Sequence, residues 1–372
     1  MLRILHLSSD ALPDPRVERA AWSARRAGHE VYFAGDAIQS FHLGENPFQQ
    51  TYPLHWDVRS RLHLPNAFRK MRRRLSNVLS AVRPDIVHAH NVIAAKLAVE
   101  SGIPMVYDDH EYWSMWMKAE LEDWLKSLLK SPWDAKKSLT RVYGAWLWTR
   151  WESDVIQSVP TIAVCEPTAA AHAKKGARVF VVPNMPTVNE TRSIPRPKAK
   201  GSPLSTVMVG NEFSSPMKIR DSWGALGVFA DDSVGELLVV GEPRPISCRN
   251  VRTVGFIDHL AMLRELTNHH VGLIPWKPHW FHQFCSPNKG YEYMHAGLIP
   301  VFPGTMLPFA ESCGDFGHAF YDYRELRQVL TELSGKLDTL QDSRVRLQDY
   351  AKRQLCWERF EERIFAAYSH AC

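Results

Sequence analysis

Twelve short runs rich in β-branched and aromatic residues recur along this chain with helical patterns between them, and a proline-rich stretch divides them into two sets of six. The first set is Arg3–Ser8, Glu30–Gly35, Ile86–His90, Pro104–Asp108, Thr161–Cys165 and Arg178–Val182. The second is Thr206–Gly210, Glu236–Gly241, Arg252–Phe256, Val271–Trp276, Ile299–Pro303 and Ala319–Tyr323. Apolar strands alternating with helices predict parallel, doubly wound sheets covered on both faces. The dividing stretch, Pro183–Pro203, carries five prolines among Lys, Arg, Asn and Ser, a composition that favours extended chain over a packed core. The expected division is an α/β domain over 1–185, a linker over 186–203, a second α/β domain over 204–346 and a helical segment over 347–372 that packs against a domain. A length of 372 residues, at about 150 per domain, agrees with two. Ligands of such sheets bind beyond the carboxyl ends of the strands, so a cleft between the two sheets is the expected site.

Composition excludes several classes. With 45% hydrophobic and 23% charged residues the chain is neither disordered nor fibrous. The N-terminus reaches Asp10 before any apolar stretch long enough for a signal peptide, and no apolar run approaches the roughly 18 to 20 residues of a membrane span. Six scattered cysteines form no CxxC pair, so neither a zinc site nor a disulfide framework is expected, and a reducing cytosol is the expected compartment. His88 and His90 are expected to face opposite ways on their strand and so not to share a metal.

The chemistry concentrates in Phe284–Pro300. Ser286 suits an N-cap and Pro287 the first helical position, so a helix is expected to open here. Backbone N–H groups of Asn288, Lys289 and Gly290, with the Lys289 charge, would then favour a phosphate or diphosphate. Glu292, one turn on, can accept two hydrogen bonds from vicinal hydroxyls such as those of a ribose. Together these residues read as a nucleotide diphosphate site.

Ser286-Pro287-Asn288-Lys289 followed by Glu292-Tyr293-Met294 and Ala296-Gly297 resembles the donor-binding signature of retaining glycosyltransferases of family four, whose fold is GT-B, two Rossmann-like doubly wound parallel-sheet domains facing a central cleft. The resemblance extends through Asp14–Glu18 and Ala27–Val31, Arg83–Asn91, Val106–Glu111, Val164–Glu166, Val181–Asn184 and Val254–Phe256, in the family's order. It implies transfer of a sugar from a nucleotide diphosphate sugar to a hydroxyl acceptor, a glycan or a lipid-linked molecule, with retention and with neither cofactor nor obligatory metal. His110 falls where the family places a histidine near the anomeric carbon. Lys218, with Arg220 as its rival, falls where the family contacts the diphosphate. Arg16, Asp109, Asn91 and Glu166 are further candidates for the cleft or acceptor site, Arg16 as a cation reaching toward the diphosphate. Asn211 stands where an Arg is common and Phe284 where a second glutamate is common. These two departures motivate the competing reading, a catalytically silent GT-B-like binding or scaffold subunit.

Charge is concentrated too. Arg59–Arg83 holds eight basic residues and no acidic one, against a net charge of +5 for the chain. Leu64, Phe68, Met71, Leu75, Val78, Leu79 and Val82 recur at helical spacing, which leaves Arg69, Lys70, Arg72, Arg73 and Arg74 on the other faces of a basic amphipathic helix. Seven of thirteen tryptophans lie between Trp113 and Trp151, mixed with lysines. This pairing suits docking on an anionic membrane surface, on the cytoplasmic side. A solvated basic face with buried tryptophans is the competing reading, and nucleic acid is not an expected partner.

Overall fold

The computed structural model describes residues 1–42, 44–56, 65–128, 135–198, 201–210, 213 and 218–372. Arg59, Arg61, Leu64, Trp133 and Asn211 lie outside these residues. The chain divides into two compact units, Met1–Pro183 with Phe360–Cys372, and Asn184–Arg359.

Unit 1 is built on a parallel seven-stranded sheet of β1 (Arg3–Ser8), β2 (Glu30–Gly35), β3 (Gln50–Pro53), β4 (Ile86–His90), β5 (Met105–Asp109), β6 (Thr161–Ala163) and β7 (Val179–Val181), in the order 3-2-1-4-5-6-7. The order reverses between β1 and β4, where Ile4 pairs with Ile86 and Ser8 with His90. The helix Pro15–Arg26 starts after β1 because Asp14 accepts from the Arg16 and Val17 amides and Pro15 supplies a preset φ. It buries Val17, Ala20, Ala21 and Ala24. The helix Pro65–Val82 turns Met71, Leu75, Val78 and Val82 into the core and leaves Arg69, Lys70, Arg72 and Arg73 exposed. Arg74 differs from the expected free cation: it is half-buried and donates to the carbonyls of Leu54 and His55. The described tryptophans are mostly packed. Trp116 is buried, and Trp113, Trp148 and Trp151 lie against the core, whereas Trp146 is exposed.

Unit 2 has a parallel six-stranded sheet of β8 (Ser205–Val209), β9 (Glu236–Val240), β10 (Val251–Val254), β11 (Val271–Leu273), β12 (Ile299–Pro303) and β13 (His318–Phe320), in the order 10-9-8-11-12-13, with its reversal between β8 and β11. Tyr293 crosses that point: its hydroxyl accepts from the Val209 amide at 2.8 Å and donates to the Leu273 carbonyl at 3.3 Å. Gly272 in β11 is required beneath it, because a Cβ there would collide with the Tyr293 ring.

Two boundaries differ from the sequence reading. The proline-rich stretch is no free linker: from Asn184 on, its described part belongs to unit 2 and is held there by Arg344, whose Nη1 donates to the Lys198 carbonyl, and by Gln348, which donates to the Pro195 carbonyl, both at 2.8 Å. The C-terminal segment does not stay with one domain. The helix Leu337–Gln354 lies in unit 2, while Glu361–Ala371 returns to unit 1, where Tyr368 is buried. Extended prolines still offer carbonyls, and buried Arg and Gln side chains collected them. Strand β3 was not expected, since Gln-Thr-Tyr-Pro has no apolar run and lies at the sheet edge.

Candidate active site

In unit 1 the carboxyl ends of β1, β4 and β5 bring together a buried polar cluster. Asp108 is its centre. Both its oxygens lie 3.0 Å from Arg16 Nε, and Arg16 Nη2 reaches Oδ1 at 2.8 Å. Arg16 Nη1 donates to the Val182 carbonyl at 2.9 Å. Burial alone would raise the Asp108 pKa, but the Arg16 charge and the His88 hydrogen bond outweigh it and hold the carboxyl well below the usual range. Arg16 is therefore not a cation held toward a ligand, as its place at a helix start suggested. It is buried and committed to Asp108.

His6, His88 and His90 are all fully buried, and burial depresses the pKa of each. The expectation that His88 and His90 diverge is corrected: residues two apart share a strand face, and their rings stack with centroids 4.4 Å apart and 14° between planes. His6 and His90 are nearly coplanar, with centroids 5.3 Å apart and 17° between planes, and meet edge to edge. The nitrogens of His6, His88 and His90 lie within 4.8 Å of one another, but His88 engages Asp108 and Tyr368 through its two nitrogens, and His6 Nδ1 meets His90 Nε2. Asp109, Glu152 and His172 also offer ligand atoms within 4.8 Å of one another. Here His172 Nε2 already lies 2.7 Å from Asp109 Oδ2, and Tyr107 donates to Asp109 Oδ1 at 2.9 Å. Glu152 in this set is pushed up to about 7 by burial and by the neighbouring Asp109.

His110, just beyond β5, keeps 11% of its side chain exposed, and its Nε2 lies 3.0 Å from His90 Nδ1. Asn91 sits at the sheet's reversal point with a left-handed φ of 67°. It donates to Asp10 at 3.3 Å and accepts from Trp113 Nε1 at 2.6 Å. Asp109 is fully buried and so is a structural group rather than a cleft residue, while Glu166 is exposed at the start of the helix Glu166–Ala173.

In unit 2 the helix Asn288–His295 opens directly after the β11 loop. Its cap differs from expectation. Pro287 is the N-cap, with extended ψ of 116°, and Ser286 turns away, its Oγ accepting from the Asn184 amide at 3.1 Å. Gly290 is required for packing, since a Cβ would strike the Phe309 ring. Asn288 and Lys289 are half-buried at the helix start, and Glu292 is 6% exposed. Lys289 Nζ stands 5.4 Å from the Trp276 ring centroid and the Arg220 guanidinium 5.1 Å from the same ring. Burial lowers the Lys289 pKa to about 7, against the pull of Glu292.

The Arg220 turn is pinned by His282, which the sequence reading did not single out, and by Lys277. His282 Nε2 donates to the Ile219 carbonyl at 2.6 Å, and burial lowers the His282 pKa to about 4. The Lys277 amide donates to the Asp221 carbonyl at 2.7 Å. Lys218 opens the 3-10 turn Lys218–Arg220, and its side chain lies outside the described residues. Phe284 is buried beside Phe281.

Two parallel sheets, each reversed at its centre, agree with the two-domain GT-B fold, which similar solved structures share. Residues 16–185, nearly all of the first unit's main segment, match the family model Glycosyltransferase Family 4, and this match supports a glycosyltransferase. Similar solved structures include the sucrose-phosphate synthase of Thermosynechococcus elongatus, at TM-score 0.73 and 13% identity over 99% of this chain and 98% of that one. HepE of Anabaena, solved in complex with UDP-glucose, matches at TM-score 0.63 and 12% identity over 99% and 100%. WaaG, a glycosyltransferase involved in lipopolysaccharide biosynthesis, matches at 0.63 and 14% over 99% of both chains. At these identities the structures speak for the fold alone. No curated protein sequence matches the chain.

The buried pair makes a direct prediction. Arg16→Met strands the Asp108 carboxylate and costs about 3–5 kcal/mol in urea unfolding, while Arg16→Met with Asp108→Leu recovers most of the loss. Because the Asp108 pKa is depressed, its contribution is present above the ordinary carboxyl range and disappears as the pH falls through the folded value. Equal stability of Arg16→Met and wild type at pH 7 would contradict this assignment.

Proposed function

We propose that the chain is a retaining, hexosyl-type glycosyltransferase that moves a sugar from a nucleotide diphosphate sugar to a hydroxyl acceptor. The observation that carries this reading is the gathering of Lys289 and Arg220 on the Trp276 ring at the opening of the helix Asn288–His295, beside the reversal point of the unit 2 sheet. Departure of a nucleoside diphosphate from an oxocarbenium-like centre needs cations and N–H donors on the leaving phosphates. A half-buried lysine, an arginine and a helix N-terminus supply both. Such a set neutralises the leaving group through protein cations, so the reading requires neither cofactor nor obligatory metal. Glu292, one turn into the helix, is the ribose acceptor by this reading, and HepE's complex with UDP-glucose supports the donor class.

His110 is assigned to the sugar's reacting end, as the residue contacting the sugar or acceptor. The acceptor is proposed to be a glycan or glycolipid of the cell surface. Arg69, Lys70, Arg72 and Arg73 are exposed on one helix, and Arg69, Arg72 and Arg73 line a groove of about 540 Å³ with Leu75 and Leu79. Cations over an apolar floor suit anionic lipid headgroups, which supports peripheral docking at the cytoplasmic face. Arg72 is partly neutralised by Glu100 at 3.0 Å. Among the described residues no helix is long and apolar enough to cross a membrane.

Four outcomes test the reading. Glu292→Ala weakens nucleoside diphosphate binding at least tenfold by calorimetry, and His110→Ala lowers transfer by about 100-fold or more with nucleotide affinity unchanged. Wild-type values in either variant remove that residue from the site, and absence of even slow donor hydrolysis by wild type would favour the silent-subunit alternative. Because the Lys289 pKa is lowered to about 7, a diphosphate that favours its charged form draws in a proton on binding. Affinity should therefore fall as the pH rises from 7 to 9, and calorimetry in buffers of different ionisation enthalpy should register the uptake; Lys289→Met removes both effects. Vesicles with anionic lipid should sediment the chain at low salt and release it at high salt, and equal sedimentation with neutral vesicles would discard the docking surface.

A further inference from the structure

Three imidazoles of unit 1 form a single hydrogen-bonded line. His6 Nδ1 lies 3.0 Å from His90 Nε2, and His90 Nδ1 lies 3.0 Å from His110 Nε2. The inner end is closed, because His6 is fully buried and its Nε2 has no hydrogen-bond partner among the described residues. The outer end is His110, the partly exposed member. His88 stands beside the line with its protons already assigned. Asp108, ionised against Arg16, can only accept, so His88 Nε2 donates to Asp108 Oδ2 across 3.3 Å, and His88 Nδ1 accepts from the Tyr368 hydroxyl at 2.8 Å.

A neutral imidazole carries one N–H, and each contact in the line needs one donor. Only two arrangements satisfy both contacts. If protons point inward, from His110 to His90 to His6, the His6 proton must sit on Nε2, a buried donor with no acceptor. If they point outward, His6 Nδ1–H donates to His90 Nε2, His90 Nδ1–H donates to His110 Nε2, and the only unsatisfied site is a lone pair on His6. Orphaned buried donors are rarer and costlier than unused acceptors. Asp108 Oδ2, 3.6 Å from His90 Nδ1, places negative charge beside the proton of the outward arrangement, and it lies farther, at 3.8 Å, from His110 Nε2. Burial depresses the pKa of His6 and of His90, so both enter the line neutral.

We propose that His90, backed by His6, is a positioning residue that holds His110 in the tautomer protonated on Nδ1, so that His110 presents an N–H and not a lone pair to its ligand. The proposal rests on the assignment of His110 to the reacting end of the sugar. It gives the line a consequence at that site: an N–H is held toward an oxygen of the sugar or acceptor before either binds, with no reorganisation needed on binding. It also explains why the interior of a sheet tolerates three neighbouring imidazoles, since a tautomer is fixed only if its far nitrogen is engaged.

The test is nuclear magnetic resonance of the full chain with 15N-labelled histidine, His110 being assigned by the signals missing from His110→Gln. Two-bond proton–nitrogen correlations in wild type should report His110 as the Nδ1–H tautomer. In His90→Leu that pattern should give way to the Nε2–H form, which a free imidazole favours. In His90→Asn, whose amide nitrogen stands near the place of Nδ1, the wild-type pattern should return. With the nucleotide sugar and a working acceptor, kcat should drop by about 10- to 100-fold in His90→Leu at a nearly constant donor KM, and recover to within a few-fold in His90→Asn. A wild-type His110 protonated on Nε2 would overturn the proposal, as would a His90→Leu spectrum in which His110 is unchanged. The spectra do not depend on turnover, so failure of the glycosyltransferase reading leaves the tautomer measurable. The wild-type spectrum decides even if His90→Leu does not fold.

Discussion

An ionised carboxylate with almost no solvent contact sits in the middle of unit 1, and much of that unit is arranged to keep it charged. Removing Asp108 from water costs several kcal/mol, which only close opposite charge and hydrogen bonds can offset. Arg16 supplies the charge from the helix after β1, and His88 supplies a hydrogen bond from β4. Their remaining groups tie in further segments, the Val182 carbonyl through Arg16 and the returning C-terminal helix through Tyr368 and His88. One carboxylate thus connects the first helix, two strands and the last helix. His90 and His110 lie within 4 Å of the same oxygen, so the cluster that stabilises the unit also sets the electrostatics of its candidate active residue.

Unit 2 solves a different problem with similar means. Lys289 and Arg220 are positive groups that must be held near one another without repelling their loops apart. The face of Trp276 does this, attracting Lys289 and Arg220 through its ring quadrupole. Backbone tethers fix the geometry: His282 holds the Ile219 carbonyl, and Lys277 holds that of Asp221. Burial lowers the Lys289 pKa to about 7, against the pull of Glu292.

Much of this was legible in the chain. Strands buried on both faces are largely apolar along their length, and a run such as Ile299–Pro303 was readable for that reason. Strand β3 was not, because an edge strand is defined by its neighbour's free N–H and C=O groups more than by its own side chains. The start of the unit 2 helix was legible to within one residue. Ser286 was misread as its cap because Ser-Pro also serves as a place where a hydroxyl can meet a distant backbone, here the Asn184 amide. Arg16 was misread because a cation at a helix start has the same sequence signature whether it faces a phosphate or a buried carboxylate.

The sequence by itself determined the two sheets, the basic face of the helix Pro65–Val82, and the helix start that carries Asn288, Lys289 and Glu292. These follow from periodicity, caps and charge within a few residues of one another. Only the tertiary structure decided that residues 186–198 belong to unit 2, that the last helix closes unit 1, and that His6, His90 and His110 form one line. Those outcomes depend on partners separated by tens to hundreds of positions, and on which buried polar atom finds another. A chain of local patterns does not contain that information until the sheet has set its register.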